Sequence, residues 1–288
     1  MRCRLCKEVS VYKELGFCKD HFINYFETKV KKYLANSRLR GTKVLVGVSG
    51  GKDSAALAYT LSLFKEEFDY EMSLFTINLR IGEYSSKSLR ASQALAELLG
   101  EELVVVDLDE FPKQIPVFVG GRDSKPCSQC GTIKRYLLNK NAIDYGCSFV
   151  ATGHNLDDEH FFMVRSLEQG NLVQLLRSDK RLPPKKEQKM VGRIKPLYEL
   201  TEKESMIYCL LKELPVHLDD CPFSVGNPQI AFKEQGVSRH AKLNTIKTLR
   251  KLKKGYDTQE YDDQVVMCGR CGYPTTKRVC LFCRVMND

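Results

Sequence analysis

Tryptophan is absent from the 288 residues, and so is any apolar run long enough to span a bilayer. The N-terminal residues lack the charged, apolar and small-residue order of a secretory signal, so a cytoplasmic protein with no membrane is expected. Two familiar nucleotide loops are missing as well. A Walker loop needs Gly five places before Gly51 and Ser or Thr after Lys52, but Val46 and Asp53 stand there. The GxGxxG dinucleotide pattern is also absent. What the chain does have is cysteine, twelve in all, and a net charge of +9. In a reducing compartment these thiols are not expected to form disulfides, and their spacing carries more than their number. The charge favours a polyanionic partner wherever it clusters.

The chain is organised around Val44-Leu45-Val46-Gly47-Val48-Ser49-Gly50-Gly51-Lys52-Asp53-Ser54. The apolar, largely β-branched start suits a parallel strand covered on both faces. Gly50 and Gly51 permit a tight turn and a close approach to a ligand. Ser49, Lys52, Asp53 and Ser54 surround a helix start, whose free N–H groups and positive dipole end attract phosphate. Ser49 to Ser54 resembles the pyrophosphate loop of ATP pyrophosphatases, which split ATP between its α and β phosphates.

Cys3, Cys6, Cys18 and His21 have the spacing of a structural zinc set whose four ligands leave no open position. Residues 22–38 predict an amphipathic helix joining this finger to the main domain. From Lys43 strands and helices alternate, which implies right-handed βαβ units and a parallel sheet. The expected strands are 43–48, 72–79, 103–108 and 148–152, with a shorter one near 192–195. The expected helices are 53–67, 85–99, 131–145, 157–168 and 201–213. Ligands in such sheets sit outside the carboxyl ends of the strands. That rule collects the glycine loop, the stretch from Asn78 to Ser85 and the stretch from Ala151 through Gly153, His154, Asp157 and Asp158 to Glu159. Carboxylates in the last could hold Mg²⁺ against phosphates, or could simply cap a helix.

Cys127 and Cys130 open the 131–145 helix beside Lys134 and Arg135, an electropositive setting that lowers thiol pKa values. Such thiols can be a redox pair, metal ligands or a sulfur-carrying nucleophile. With Cys221 they suit an iron–sulfur cluster having one iron without a protein ligand. Cys147 and Cys209, in apolar surroundings, are expected to be small buried hydrophobes. Residues 177–195, basic around Leu182-Pro183-Pro184, predict an exposed loop. Residues 230–256, with nine basic side chains including Lys233, Arg239 and Lys242 against one Glu, predict a phosphate-backbone surface. Cys268, Cys271, Cys280 and Cys283 form a four-thiolate zinc ribbon.

Taken together, the glycine loop, Cys127-x2-Cys130-Gly131, Gly153-His154-Asn155-x-Asp157-Asp158, Cys221 and both terminal zinc sets resemble the tRNA 2-thiouridine synthetases of the TtuA branch. Ile81-Gly82-Glu83-Tyr84-Ser85 and Cys271-Gly272-Tyr273-Pro274-Thr275-Thr276 match that branch too. The resemblance implies an α/β, parallel-sheet PP-loop domain of the adenine nucleotide α-hydrolase type (29–215). A zinc finger (1–28) precedes it; a basic helical tRNA-binding segment (216–262) and a zinc ribbon (263–288) follow. It implies ATP held by Ser49, Gly50, Gly51, Lys52, Asp53, Ser54, Asn78, Gly153 and Asp158 with Mg²⁺, and two Zn²⁺. It further implies a [4Fe-4S] cluster on Cys127, Cys130 and Cys221, with Lys134 and Asp158 acting near the activated base. The uracil 2-oxygen of tRNA uridine or ribothymidine 54 is adenylated, pyrophosphate leaves, and sulfur then displaces AMP. The sulfur donor would be a ubiquitin-like thiocarboxylate protein or free sulfide, and relatives suggest a homodimer. Four rivals remain: thiolation of wobble uridine 34, a persulfide relay on Cys127 or Cys221 without a cluster, a redox dithiol, and a non-catalytic RNA-binding zinc protein.

Overall fold

The computed structural model describes residues 1–112, 126–256 and 265–287. The expected boundary at 262/263 lies outside the described residues. In chain order the elements are α1 (Lys19–Ala35), β1 (Thr42–Gly47), α2 (Lys52–Phe68), β2 (Tyr70–Asn78), α3 (Gly82–Leu99) and β3 (Leu103–Asp107). Then come α4 (Pro126–Asp144), β4 (Phe149–Ala151), α5 (Leu156–Glu168), α6 (Leu172–Arg177), β5 (Arg181–Leu182) and β6 (Gly192–Ile194). The chain continues with α7 (Glu202–Leu211), α8 (Pro228–Lys233), α9 (Arg239–Lys253), β7 (Val266–Met267), β8 (Pro274–Thr275) and α10 (Leu281–Asn287).

The main sheet runs β3-β2-β1-β4-β6-β5. Every neighbouring pair is parallel except β5 on β6, which is antiparallel at the edge. Strand order reverses at β1, flanked by β2 and β4, so the loop after β1 opens at the topological switch point where ligands of such sheets bind.

Alternation along the strands builds a core on each face. Val44 and Val46 of β1, Met72 and Leu74 of β2, and Phe149 and Ala151 of β4 join α1, α2 and α7 in one core. Leu45, Phe75 and Val150 face the other way, against α4 and the C-terminal module through Ile133, Leu137, Phe282 and Met286. β1 is hydrophobic on both faces because both are covered.

Two expectations need revision. The 22–38 helix is more than a connector: Phe22, Phe26, Val30 and Leu34, four residues apart, are buried in the first core, and Phe26 stacks on Tyr208 at 4.1 Å. The 177–195 stretch, expected as a loop, contributes β5 to the sheet edge, and Lys195 N–H donates to Tyr33 Oη at 3.0 Å. Cys147 and Cys209 are buried as expected. No helix among the described residues is long and apolar enough to cross a membrane.

Candidate active site

The loop after β1 folds on itself. Ser49 N–H donates to Ser54 Oγ at 3.0 Å, and Ser54 Oγ–H donates to the Gly51 carbonyl at 2.9 Å. Gly50 has φ +74°, and a Cβ there would lie 2.5 Å from the Ser88 carbonyl oxygen, so only glycine fits. Gly153 brings the β4–α5 turn against the same loop: its Cβ would sit 3.0 Å from the Asp53 carbonyl carbon. The first turn of α2 thus opens into a cleft of about 200 Å³ bordered by Ser49, Gly51, Lys52, Tyr84, His217 and Asp220.

Charges converge at this point. Lys52 Nζ donates to Glu202 Oε1 at 2.7 Å and lies 3.6 Å from Asp53. Asn155 caps α5 and donates through Nδ2 to Asp53 Oδ1 at 3.0 Å. Asp158 closes the capping box by accepting from Asn155 N–H through Oδ2 at 3.1 Å. Its Oδ1 accepts from Lys233 Nζ at 2.7 Å and from Gln229 Nε2 at 2.8 Å, both carried by α8. Asp157 points elsewhere: Oδ2 accepts from Glu202 N–H at 2.7 Å, capping α7, and Oδ1 pairs with Lys242. Asn78 donates to Asp107 at 3.1 Å.

Cys127 and Cys130 stand in the first two turns of α4, and the segment bearing Cys221 packs against the same core. Cys127 Sγ–H donates to the Phe223 carbonyl at 3.4 Å, which docks the Cys221-bearing segment on the helix that carries Cys130. The same segment reaches the glycine loop, since His217 N–H donates to the Gly50 carbonyl at 2.7 Å.

Comparison with known proteins resolves what such a site belongs to. A family model described as a PP-loop domain matches residues 23–221. A tRNA-5-methyluridine(54) 2-sulfurtransferase of Thermus thermophilus is 36% identical over 100% of this chain and 91% of its own. The protein of the same name from Pyrococcus horikoshii is 32% identical, over 99% of this chain and 93% of its own. Among solved structures, the U34-tRNA thiolase NcsA of Methanococcus maripaludis, described with its [4Fe-4S] cluster, superimposes with a TM-score of 0.81. That structure is 27% identical and covers 100% of this chain and 96% of its own. The chain belongs to the PP-loop ATP pyrophosphatases, and is homologous to the tRNA 2-thiolation enzymes.

Within this PP-loop protein the electrostatics follow from burial and crowding. Burial pushes Asp53 up to about 6, with Asp158 and Glu202 adding to the effect against Lys52. Burial works on Glu202 as well, but Lys233 and Lys52 outweigh it and hold that carboxyl at about 2. Burial lowers His154 to about 4, helped by Lys195, Arg193 and Arg135, so at neutral pH it is an uncharged turn histidine bonded to Thr152 Oγ1 at 2.8 Å. Burial raises the Cys130 thiol, while Lys134 beside it acts in the opposite direction.

The terminal sets fit metal. Cys3, Cys6 and Cys18 sulfurs lie 3.5, 3.5 and 3.1 Å from His21 Nδ1, and Cys6 and Cys18 are 3.6 Å apart. A tetrahedral zinc with sulfurs at about 2.3 Å has edges of about 3.8 Å. Cys271 and Cys280 are 3.7 Å apart within the other compact four-sulfur group. Although burial opposes it, N–H groups of Cys280, Cys271 and Arg270 hold the Cys268 thiol down at about 6, ready to bind as thiolate. Cys127, Cys130 and Cys221 do not form such a tight group.

Sequence reasoning missed Glu202, Lys233, Gln229 and His217 as site residues, whereas Tyr84 belongs to the 78–85 stretch expected at the pocket and does line it. Only Glu202 carried a signal, as the first residue after Thr201 in a capping box with Glu204. The basic segment also needs correction. Lys233 is committed to Asp158 and Glu202, Lys242 to Asp157, and Arg239 to buried Glu204 at 2.9 Å, so these are internal counter-ions and not an RNA surface.

Proposed function

We propose that the protein is an ATP-dependent tRNA 2-sulfurtransferase acting on uridine or ribothymidine 54. The observation that carries this reading is the hydrogen bond from His217 to Gly50, because it joins the phosphate loop to the segment bearing Cys221. Activation and sulfur insertion at one base carbon need those two machineries side by side.

In this mechanism the N–H groups around Gly50 and Gly51 and the first turn of α2 take the ATP phosphates, with Ser49 and Ser54 shaping the loop. Lys52 exchanges Glu202 for a phosphate. Asp53 and Asp158 would hold Mg²⁺, which neutralises phosphate charge. The uracil 2-oxygen attacks the α-phosphate, forming an adenylated base and releasing pyrophosphate. The ammonium of Lys134 stabilises negative charge at the base, and Asp158 holds a proton or the metal. A [4Fe-4S] cluster on Cys127, Cys130 and Cys221, when bound, would supply the sulfide that replaces the adenylated oxygen as AMP leaves. Gly153 allows the α5 turn close enough for Asp158 to face the loop, and Asn78, held by Asp107, ends the strand β2 that pairs with β1. Two zinc ions hold the finger and the ribbon. The sulfur donor is a thiocarboxylated ubiquitin-like protein or free sulfide, and the enzyme works in the cytoplasm as a homodimer.

The likeness to a U34 thiolase favours wobble uridine as a second reading. Mass spectrometry of nucleosides from tRNA incubated with ATP and sulfide, using substrates altered at position 54 or 34, separates the two. Lys52→Ala is expected to lower thiolation at least 100-fold while leaving tRNA affinity unchanged. Undiminished thiolation in that variant would remove the ATP site from this loop.

A further inference from the structure

A cavity of about 930 Å³ lies away from the phosphate loop, between the β5–β6 connection, the end of α9 and the C-terminal module. Its lining is strongly basic, including Lys180, Lys189, Arg193, Arg250, Lys253 and Lys254. Among the described lining residues the one carboxylate is Asp179, 3.6 Å from Lys253. Arg250 lies 4.2 Å over the Tyr198 ring and keeps a buried Nη2 without a hydrogen-bond partner. Arg193 has no carboxylate within 4 Å among the described residues. Burial holds its guanidinium below the usual value, and Arg135 adds to the effect. Cations gathered in this way around a single described carboxylate fit a polyanion, and the volume is too large for a single phosphate.

We propose that this groove grips the sugar–phosphate backbone of the tRNA, at a distance from the reacting base set by α4. The assignment rests on the thiolation reading above. Asn139 and Ile143 of α4 form part of the wall. The i±4 ridge through them continues back along the helix through Arg135 and Gly131 to Cys127. Arg135 therefore stands between groove and sulfur site, with Nη1 against Gly131. At 1.5 Å per residue the ridge spans about 18–24 Å, or roughly six nucleotides at about 3.4 Å each. The exposed face of α9 extends the groove outward: His240, Lys247, Lys251 and Lys254 are solvent-facing and recur three, four or seven residues apart. Exposed Tyr256, at the rim, offers a ring for a base to stack on.

The test is tRNA binding measured against salt, using the full-length enzyme. Lys180→Ala/Lys189→Ala/Lys254→Ala is compared with Lys31→Ala/Arg40→Ala/Arg90→Ala, which removes equal charge outside the groove. The groove variant is expected to weaken Kd at least tenfold at physiological salt. Its slope of log K against log salt is expected to fall by about 2–3, roughly 0.7–0.9 per lost phosphate contact. Nucleotide affinity and Tm, read in parallel, are expected to match the wild type and report an intact fold. An unchanged Kd and slope, or equal losses in both triple variants, overturns the groove assignment while the thiolation reading stands. A wild-type enzyme that puts no sulfur into any tRNA overturns both together.

Discussion

Asp53 is where single-residue chemistry and stability oppose each other. Its carboxyl is pushed up to about 6 by burial and by neighbouring Asp158 and Glu202. An unfolded Asp titrates near about 3.9, so the native state binds the proton more tightly than the unfolded state does. Its contribution is therefore most favourable below about pH 4 and is lost as pH rises through about 6. Asp53→Asn keeps the acceptor for Asn155 and escapes that loss. The variant is expected to be more stable than wild type at pH 7.5, by up to about 3 kcal/mol, and nearly equal at pH 4. Thermal melts at the two pH values check this, and a difference that shrinks as pH rises would contradict it. The same substitution is expected to weaken Mg·ATP binding, the usual trade between a strained site and function.

At the scale of elements, α8 is six residues long and has no buried side chain. It is held to the site by Lys233 and Gln229 on Asp158 and Glu202, beside Phe232 packed on Phe161 and His160 of α5. Lys233→Met leaves two carboxylates without their shared cation. It is expected to cost about 2 kcal/mol, less than a fully buried pair because these side chains are 15–33% exposed. Hydrogen exchange read peptide by peptide should then show 228–233 losing protection while α2 keeps it. Retained protection would mean that α8 docks by other contacts. This helix also marks the limit of what was legible in the sequence. β1, the phosphate loop and the two zinc sets carry local signals, since alternation, glycine placement and ligand spacing are properties of neighbouring residues. Lys233 meets Asp158 from 75 residues away, and no local pattern distinguishes a lysine bound for a carboxylate from one facing solvent. The same holds for Arg239 on Glu204 and Lys242 on Asp157. α1 was legible as a helix but not as core, because its partner Tyr208 lies far along the chain.

Across the whole molecule, the two metal modules are built into opposite cores. Tyr12 of the finger meets Phe22 edge-on in the first, and Phe282 of the ribbon stacks on Tyr136 of α4 at 3.7 Å in the second. The ribbon is too short to hold its shape without its ion. Cys283→Ser is therefore expected to release one zinc per chain and to loosen α4. Exchange should rise along 126–144 and tRNA thiolation should fall, although Cys127 and Cys130 are untouched. Undisturbed α4 exchange after loss of that zinc would show that the ribbon is only an appendage.

The bond between His217 and Gly50 also bears on the making of the protein. The phosphate loop lies in the first fifth of the chain, yet its Gly50 carbonyl waits for a donor 167 residues later. A chain leaving the ribosome can complete β1 and α2 early, but this contact forms only after α7 has emerged. The nucleotide site is thus among the last parts of the sheet domain to be finished, and nascent chains that stop short of residue 217 carry the loop without its brace.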